Sequence, residues 1–388
     1  MKILHTSDWH LGHSLYNYDR NEEHCAMLKQ MTDIVRHNKP DVMLICGDVY
    51  HTSQPSAAVQ KMLIDALVEI HLAAPDMAIV MTAGNHDSGT KHEVFQTPWK
   101  VLNVYVIGQI NKENWEEHIV SLPGKGFIIA VPYASERNIP EGFFQRLLDK
   151  VNEINIDKLP VIMTAHTTVK GYDFTGHEHA DEYTAGGIDA ADIEDFGIGY
   201  DYLALGHIHK PQFVHSGSHN VRYSGTPIPV SFDEQYSHSV TILDIKRHGD
   251  KPEYEVIDIF NPWPIVTLPT EGFASWEEAK QLLRDFPDNQ PAYIRLNVEI
   301  EGFLPADAQI ETAMMADNKA CRFCLINAKR KNEKRNKHET LSIQEFQELK
   351  PMDIAKRYAE DTGINFDEEM EKMFYDAMKR VEEEKRNQ

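Results

Sequence analysis

Five short stretches of this chain carry residue types suited to holding hard cations and moving protons. They are Asp8-Trp-His10, Gly47-Asp48, Gly84-Asn85-His86-Asp87, His166 and Gly206-His207-Ile-His209. Asp8 and His10 stand two apart, as do His207 and His209, so in an extended segment each pair projects to one side. Asn85 offers a neutral amide oxygen, and His86 is the side-chain type whose proton affinity sits nearest neutrality. Gly84 allows a sharp turn and a close backbone approach. The candidate ligands Asp8, His10, Asp48, Asn85, His166, His207 and His209 fit two cations sharing one carboxylate, with Asp48, central in order, as the bridge. Mixed imidazole, carboxylate and amide donors without thiolate suit Mn or Fe, with Zn admissible. Two such ions can activate a water and steady both oxygens of a phosphoryl displacement.

These residues need a scaffold that brings strand ends together. Each group follows an apolar run: Lys2 to Thr6, Val42 to Cys46, Met77 to Thr82, Val161 to Ala165 and Tyr202 to Leu205. Helical periodicity over Glu22 to His37, after Pro55 and over Glu141 to Val151 alternates with these runs. Alternation of this kind predicts an α/β domain with parallel or mixed sheets covered on both faces, with ligands outside the carboxyl ends of the strands. Further strands are expected at Val104 to Ile107, Ile119 to Leu122, Phe127 to Pro132, Val221 to Tyr223 and Ser239 to Ile245. Residues 171–200 lack periodicity and are expected to form a long functional loop, in which His177 and His179 are given no site role.

At 388 residues the chain exceeds one comfortable core. Pro262-Trp-Pro264 punctuates it, and the pattern restarts with a capping box, Ser275-Trp-Glu-Glu278, and an alternating strand, Tyr293 to Ile300. Helix over Ala306 to Met315 and strand over Cys321 to Ile326 complete the elements expected there. The expected division is 1–260, a small α+β domain at 261–328, and 329–388. The last begins with a basic run, Lys329 to Lys337, and ends in a helical hairpin whose Met370, Met373, Phe374, Ala377 and Met378 form an apolar stripe for a partner.

The four cysteines are too few for a disulfide framework, and Cys321-Arg-Phe-Cys324 reads as core rather than as a zinc or redox pair. No apolar run reaches the ~20 residues needed to span a bilayer, and no signal-peptide pattern leads the chain; the cysteine usage reads as a reducing compartment, hence a cytoplasmic location is expected. The net charge of −22 argues against binding nucleic acid by bulk electrostatics. Metals, the basic run and a partner would have to offset it.

In order and spacing the five stretches resemble the calcineurin-like metallophosphoesterases. Ser7-Asp-Trp-His-Leu-Gly12, Gly206-His-Ile-His-Lys-Pro-Gln212 and Tyr223-Ser-Gly-Thr-Pro-Ile-Pro229 are similar to family members that serve as bacterial nuclease subunits beside a long-coiled-coil ATPase. The resemblance implies a four-layer sandwich of two mixed sheets flanked by helices, with a small capping domain and the C-terminal hairpin. It implies one ion on Asp8, His10, Asp48 and His209, and another on Asp48, Asn85, His166 and His207. His86 would protonate the leaving oxygen or stabilise the developing charge, with support from Asp87, and His51 would lie near the scissile phosphate. It also implies hydrolysis of double-stranded DNA ends and hairpins in repair, recombination or replication. Dimerisation through helices near Ser56 to His71 and Glu93 to Leu102, within a 2:2 heterotetramer, is implied too. ATP would belong to the partner, because this chain has no G-x-x-x-x-G-K-[ST] loop. A small-molecule phosphodiesterase or phosphatase is the alternative enzyme class; a scaffold with a degenerate site is disfavoured because every ligand position is filled.

Overall fold

Alternate residues of three strands face two different hydrophobic cores, and that alternation organises the molecule. In β1 (Lys2–Thr6), β4 (Val42–Cys46) and β5 (Ala78–Thr82), the side chains of Leu4, Met43, Ile45, Ile79 and Met81 join one cluster. Those of Ile3, Val42, Leu44, Ala78 and Val80 join another. Period-two projection requires both faces to be covered, and each fully buried aliphatic side chain contributes roughly 1.5–3 kcal/mol. The computed structural model describes residues 1–173, 190–215, 218–331, 352, 356 and 370–375.

Between β1 and β4 lie a small hairpin, β2 (Ser14–Leu15) and β3 (Tyr18–Asp19), and helix α1 (Asn21–Asn38). Helix α2 (Ala57–Ala73) separates β4 from β5. In α1, acidic Glu22 and Glu23 in the first turn and basic Arg36 and His37 in the last suit the helix dipole, and the helix ends where Lys39 turns left-handed at φ +48°. Ser56 caps α2 by accepting the Val59 N–H at 3.3 Å. The short helices α3 (Gly89–Glu93) and α4 (Gln96–Trp99) precede β6 (Val104–Ile107), β7 (Ile119–Leu122), β8 (Gly126–Ala130), α5 (Phe143–Ile154), β9 (Val161–His166) and β10 (Tyr202–Gly206). Then come β11 (Gln212–Phe213), β12 (Val221–Tyr223), β13 (Ser239–Asp244) and β14 (Glu253–Asp258).

One six-stranded sheet runs β14-β13-β1-β4-β5-β6 and the other β11-β12-β10-β9-β8-β7. In the first, β1, β4, β5 and β6 pair in parallel while β13 and β14 are antiparallel. In the second, β8, β9, β10 and β12 are parallel. The sheets face each other across a core that joins Leu44 and Val80 to Ile128, Ile162 and Ala204. Helices α1 and α2 cover the outer face of the first sheet and α5 that of the second. The result is the expected four-layer α/β/β/α sandwich with mixed sheets.

A three-stranded sheet follows, in the order β15-β16-β17, formed by β15 (Ile265–Leu268), β16 (Tyr293–Ile300) and β17 (Arg322–Arg330). It carries helices α6 (Trp276–Asp285) and α7 (Ala308–Ala316). The capping box at Ser275 and Glu278 is formed, with Ser275 Oγ accepting the Glu278 N–H and Glu278 accepting the Ser275 N–H. Residues 1–299 and 304–329 make one compact unit, and 300–303 with 330–388 a second. In the second unit, residues 370–375 are helical, Lys356 pairs with Glu371 at 2.6 Å, and Met370 and Met373 are exposed. The rest of the basic run, Ala377 and Met378 lie outside the described residues, as do His177 and His179 and most of the expected loop. Among the described residues no helix is long and apolar enough to cross a membrane.

Candidate two-metal centre

The ends of β1, β4, β5, β9 and β10 converge on one rim. The chain past β1 runs beside the chain past β4, with Asp8 N–H bonded to the Gly47 carbonyl (3.0 Å) and His10 N–H to the Asp48 carbonyl (2.9 Å). Asp8, His10, Asp48 and His207 all have positive φ, at 54°, 45°, 47° and 97°. Such conformations cost non-glycine residues on the order of 1–3 kcal/mol each and persist only where the surroundings hold them. Two glycines make room: a Cβ at Gly47, itself at φ +83°, would stand 2.1 Å from His166 Nδ1, and one at Gly84 would stand 2.1 Å from Asp48 Oδ1.

All seven expected ligands meet there. The Nε2 atoms of His10 and His209 are 3.2 Å apart, and with the Asp8 carboxylate they lie within one 4.8 Å cluster. Asp8, Asp48 and His166 form a second such cluster. Asn85 Oδ1 is 3.0 Å from His166 Nε2 and 3.0 Å from His207 Nδ1. Asp48 Oδ2 lies between the groups, 3.8 Å from His10 Nε2 and 3.4 Å from His166 Nε2.

Hydrogen bonds behind the site dictate which nitrogens face it. His166 Nδ1 donates to the Cys46 carbonyl (2.9 Å) and His209 Nδ1 to Glu234 Oε1 (2.7 Å). Each partner only accepts, so in the neutral ring the lone pair sits on Nε2 and points at the other donors. Asp8 accepts the His207 N–H (3.0 and 3.2 Å) and the Ser7 hydroxyl (2.5 Å). Lone pairs aimed at one another inside a buried pocket need positive charge between them. Among the described residues, buried His10 Nδ1 has no hydrogen-bond partner. The donor set fits divalent cations.

The proton affinities of these groups diverge. Burial alone would depress His166, but Asp48 and Asp8 outweigh it and push the imidazole up to about 9. Burial likewise opposes charge on His209, and Glu234 holds it above its usual value. His207 falls to about 3, through burial and then the neighbouring His166, and burial holds His10 well below its ordinary range. Burial would raise Asp48, yet the surrounding imidazoles, His166 foremost, keep it ionised. Burial raises Asp8. Acidic and basic groups are thus pushed apart within a few ångströms.

His86 sits at the edge of the group, its N–H donating to Asp48 Oδ1 (2.9 Å) and its Nδ1 to the His51 carbonyl (2.9 Å), which leaves Nε2 free of that bond. The His51 ring stacks on it with centres 5.5 Å apart. Burial and His86 lower His51 to about 4. The Asp87 carboxylate turns toward the loop backbone. It accepts the backbone N–H groups of Val49 (3.1 Å), Tyr50 (2.9 Å) and Gly84 (2.8 Å) and lies 3.1 Å from His92 Nε2. By accepting the Gly84 N–H it ties down the turn that carries Asn85 and His86.

Sequence reasoning missed Glu234, buried, which holds His209 and also accepts the Val230 N–H at 3.1 Å. Its only sequence signal was an acidic residue between Phe232 and His238, too common a pattern to notice. Cys321 and Cys324 are free thiols raised by burial, in keeping with a core position.

Residues 1–211 match the model of the calcineurin-like phosphoesterase family. The chain is similar to SbcD of the SbcCD nuclease of Rhodobacter capsulatus, 31% identical over 306 residues that cover 72% of this chain and 74% of that protein. The SbcD protein of Escherichia coli K12 is 26% identical over 378 residues, covering 90% of this chain and 91% of that protein. That of Bacillus subtilis is 28% identical over 414 residues and covers 99% of both.

Proposed function

This chain belongs to the calcineurin-like phosphoesterases, and from that premise we propose that it is the nuclease subunit of an SbcCD-type complex, a metal-dependent phosphodiesterase. The observation that supports this most is the buried Asp48 carboxylate lying between the His10 and His209 pair and the His166 and Asn85 pair. Asp8, His10, Asp48 and His209 would hold one cation, and Asp48, Asn85, His166 and His207 the other. Bound divalent ions supply Lewis-acid polarisation of the phosphodiester and lower the pKa of a water nucleophile. The chain's own residues do the rest. His86, with Nδ1 held by the His51 carbonyl, presents Nε2 to the leaving oxygen and gives it a proton. His51 backs His86 by stacking and lies near the scissile phosphate. Asp87 holds the turn that carries Asn85 and His86.

The substrate is double-stranded DNA at ends and hairpins, and Mn is the working ion. An SbcC-like coiled-coil ATPase is the partner, in a 2:2 heterotetramer in the cytoplasm. Residues 261–328 act as a cap beside the nuclease domain of 1–260, and 329–388 serve the partner. Exposed Val94, Phe95 and Val101 support a homodimer surface near the site. With a net charge of −22 the isolated chain binds duplex DNA weakly at physiological salt.

The test is to incubate the full chain with Mn and, separately, end-labelled duplex DNA, a DNA hairpin, a cyclic nucleotide and a phosphopeptide, with and without the partner. Cleavage of DNA that His86→Ala abolishes is expected. Turnover of the cyclic nucleotide or phosphopeptide with DNA left intact in the presence of partner would overturn the nuclease assignment.

A further inference from the structure

Tyr293 and Arg295 stand two apart on β16, so their side chains leave the same face of the strand. Ile294, Leu296 and Val298, on the other face, are buried. Arg295 donates from Nη1 to Asp233 Oδ1 at 3.0 Å and from Nη2 to the Phe232 carbonyl at 3.3 Å, with its guanidinium 5.2 Å from the centre of the Phe232 ring. The next residue, Glu234, holds Nδ1 of His209 at 2.7 Å. Three consecutive residues are therefore pinned, two by the cap strand and the third to a member of the metal centre.

Tyr293 begins a second path. Its hydroxyl donates to Glu23 Oε1 at 2.7 Å, where Arg20 Nε also donates at 3.0 Å. Arg20 Nη1 donates to the Pro229 carbonyl at 2.7 Å and to His13 Nδ1 at 3.1 Å. A guanidinium only donates, so His13 Nδ1 must carry the lone pair and its proton sits on Nε2. The His13 ring then meets His51 edge to face, with centres 4.6 Å apart, and His51 stacks on His86. Tyr293, Glu23 and Arg20 are buried, so none of the three can touch a substrate. One face of one strand thus connects with both histidine groups of the rim.

We propose that Tyr293 and Arg295 are positioning residues for the hydrolysis: β16 fixes the two loops that orient His209 and His51, and the site has its working geometry only with the cap sheet seated. This rests on His209 and His86 having the roles given above.

The full chain with Arg295→Met keeps the stem packing and loses the hydrogen bonds, Arg295→Lys restores a charge, and Tyr293→Phe removes one hydroxyl. Bis(p-nitrophenyl) phosphate with Mn reports on the site without a duplex that could touch the cap. Arg295→Met is expected to lower kcat about threefold to tenfold at unchanged KM, less than the roughly 10–100-fold of losing a ligand's own partner. Arg295→Lys recovers part of it, and Glu234→Gln added to Arg295→Met costs less than the product of the two single losses. In the metal-free chain, the His209 ¹⁵N resonances shift in Arg295→Met and the His13 and His51 resonances shift in Tyr293→Phe. Wild-type kcat on the small diester together with unmoved imidazole resonances would overturn the proposal, whatever happens to DNA affinity. His209→Ala separates the two levels: if it keeps full turnover, the metal role of His209 fails and takes this inference with it; if it is inactive while Arg295→Met is normal, only the cap's role fails.

Discussion

Gly84 and Asp48 occupy one another's space: a Cβ on Gly84 would stand 2.1 Å from Asp48 Oδ1 and 2.2 Å from its backbone nitrogen. Asp48 also accepts the His86 N–H from the same turn, so the end of β5 and the end of β4 are locked into a single arrangement. The presence of glycine at 84 is therefore a condition on where the central carboxylate sits.

Gly84→Ala should displace Asp48 and His86 together. A misplacement near 1 Å is enough to cost about 100-fold in turnover. Steady-state kinetics on a small phosphodiester, with circular dichroism to verify the fold, checks this, and calorimetry with Mn should find one tight site fewer. Near-normal kcat in a folded Gly84→Ala chain would mean that Asp48 is not the bridging group.

Glu234→Gln tests the support behind His209. The carboxylate holds the Nδ1 proton and accepts the Val230 N–H, tasks an amide cannot perform with both of its ends. Cation affinity should drop roughly 10–100-fold, and added Mn should recover much of the lost rate. A Mn titration of activity reads this directly; a loss that no concentration of Mn repairs would point to a role other than orienting a ligand.

Asp87→Asn and His86→Ala should separate stability from chemistry. Asp87 satisfies three backbone N–H groups with a fully buried carboxylate, and hydrogen bonds to charged groups contribute about 1.5–3 kcal/mol each. Asparagine retains one acceptor oxygen, so its melting temperature should fall by several degrees. His86→Ala should melt close to the parent yet lose turnover. Thermal melts of the two variants side by side decide between these roles.

Much of this site was legible because apolar runs end at polar residues behind glycine, as at Cys46-Gly47-Asp48 and Ala83-Gly84-Asn85. The buried strands are nearly unbroken apolar segments, and a sheet covered on both faces demands that. What escaped notice has physical reasons. β14 is an edge strand whose residues are mostly exposed, so its composition carries no burial signal. β15 is short and only half-buried. Glu234 and Arg20 act through tertiary contacts, the first 25 positions away at His209 and the second 209 away at Pro229, which no local pattern encodes. The turn also directs the Asp87 carboxylate back onto the loop, a direction that its place next to His86 in the sequence does not reveal.

His5 gives the chain an acid-sensitive group in its interior. Its Nδ1 is 3.0 Å from the Tyr202 hydroxyl and its Nε2 3.2 Å from the Leu205 carbonyl. The neutral ring satisfies both by accepting from Tyr202 at Nδ1 and donating to Leu205 at Nε2. Burial, then the positive charge of Arg222, pushes it from 6.5 down to about 3. The unfolded chain takes up this proton below its usual value while the folded chain refuses it. The stability due to neutral His5 is therefore complete above pH 6.5 and is lost progressively as pH falls toward 3, at up to about 1.4 kcal/mol per pH unit. Urea midpoints of the metal-free protein between pH 7 and 4 should fall more steeply for the parent than for His5→Gln, by about one proton's worth of slope. Parallel curves would show that the ring is already protonated in the fold.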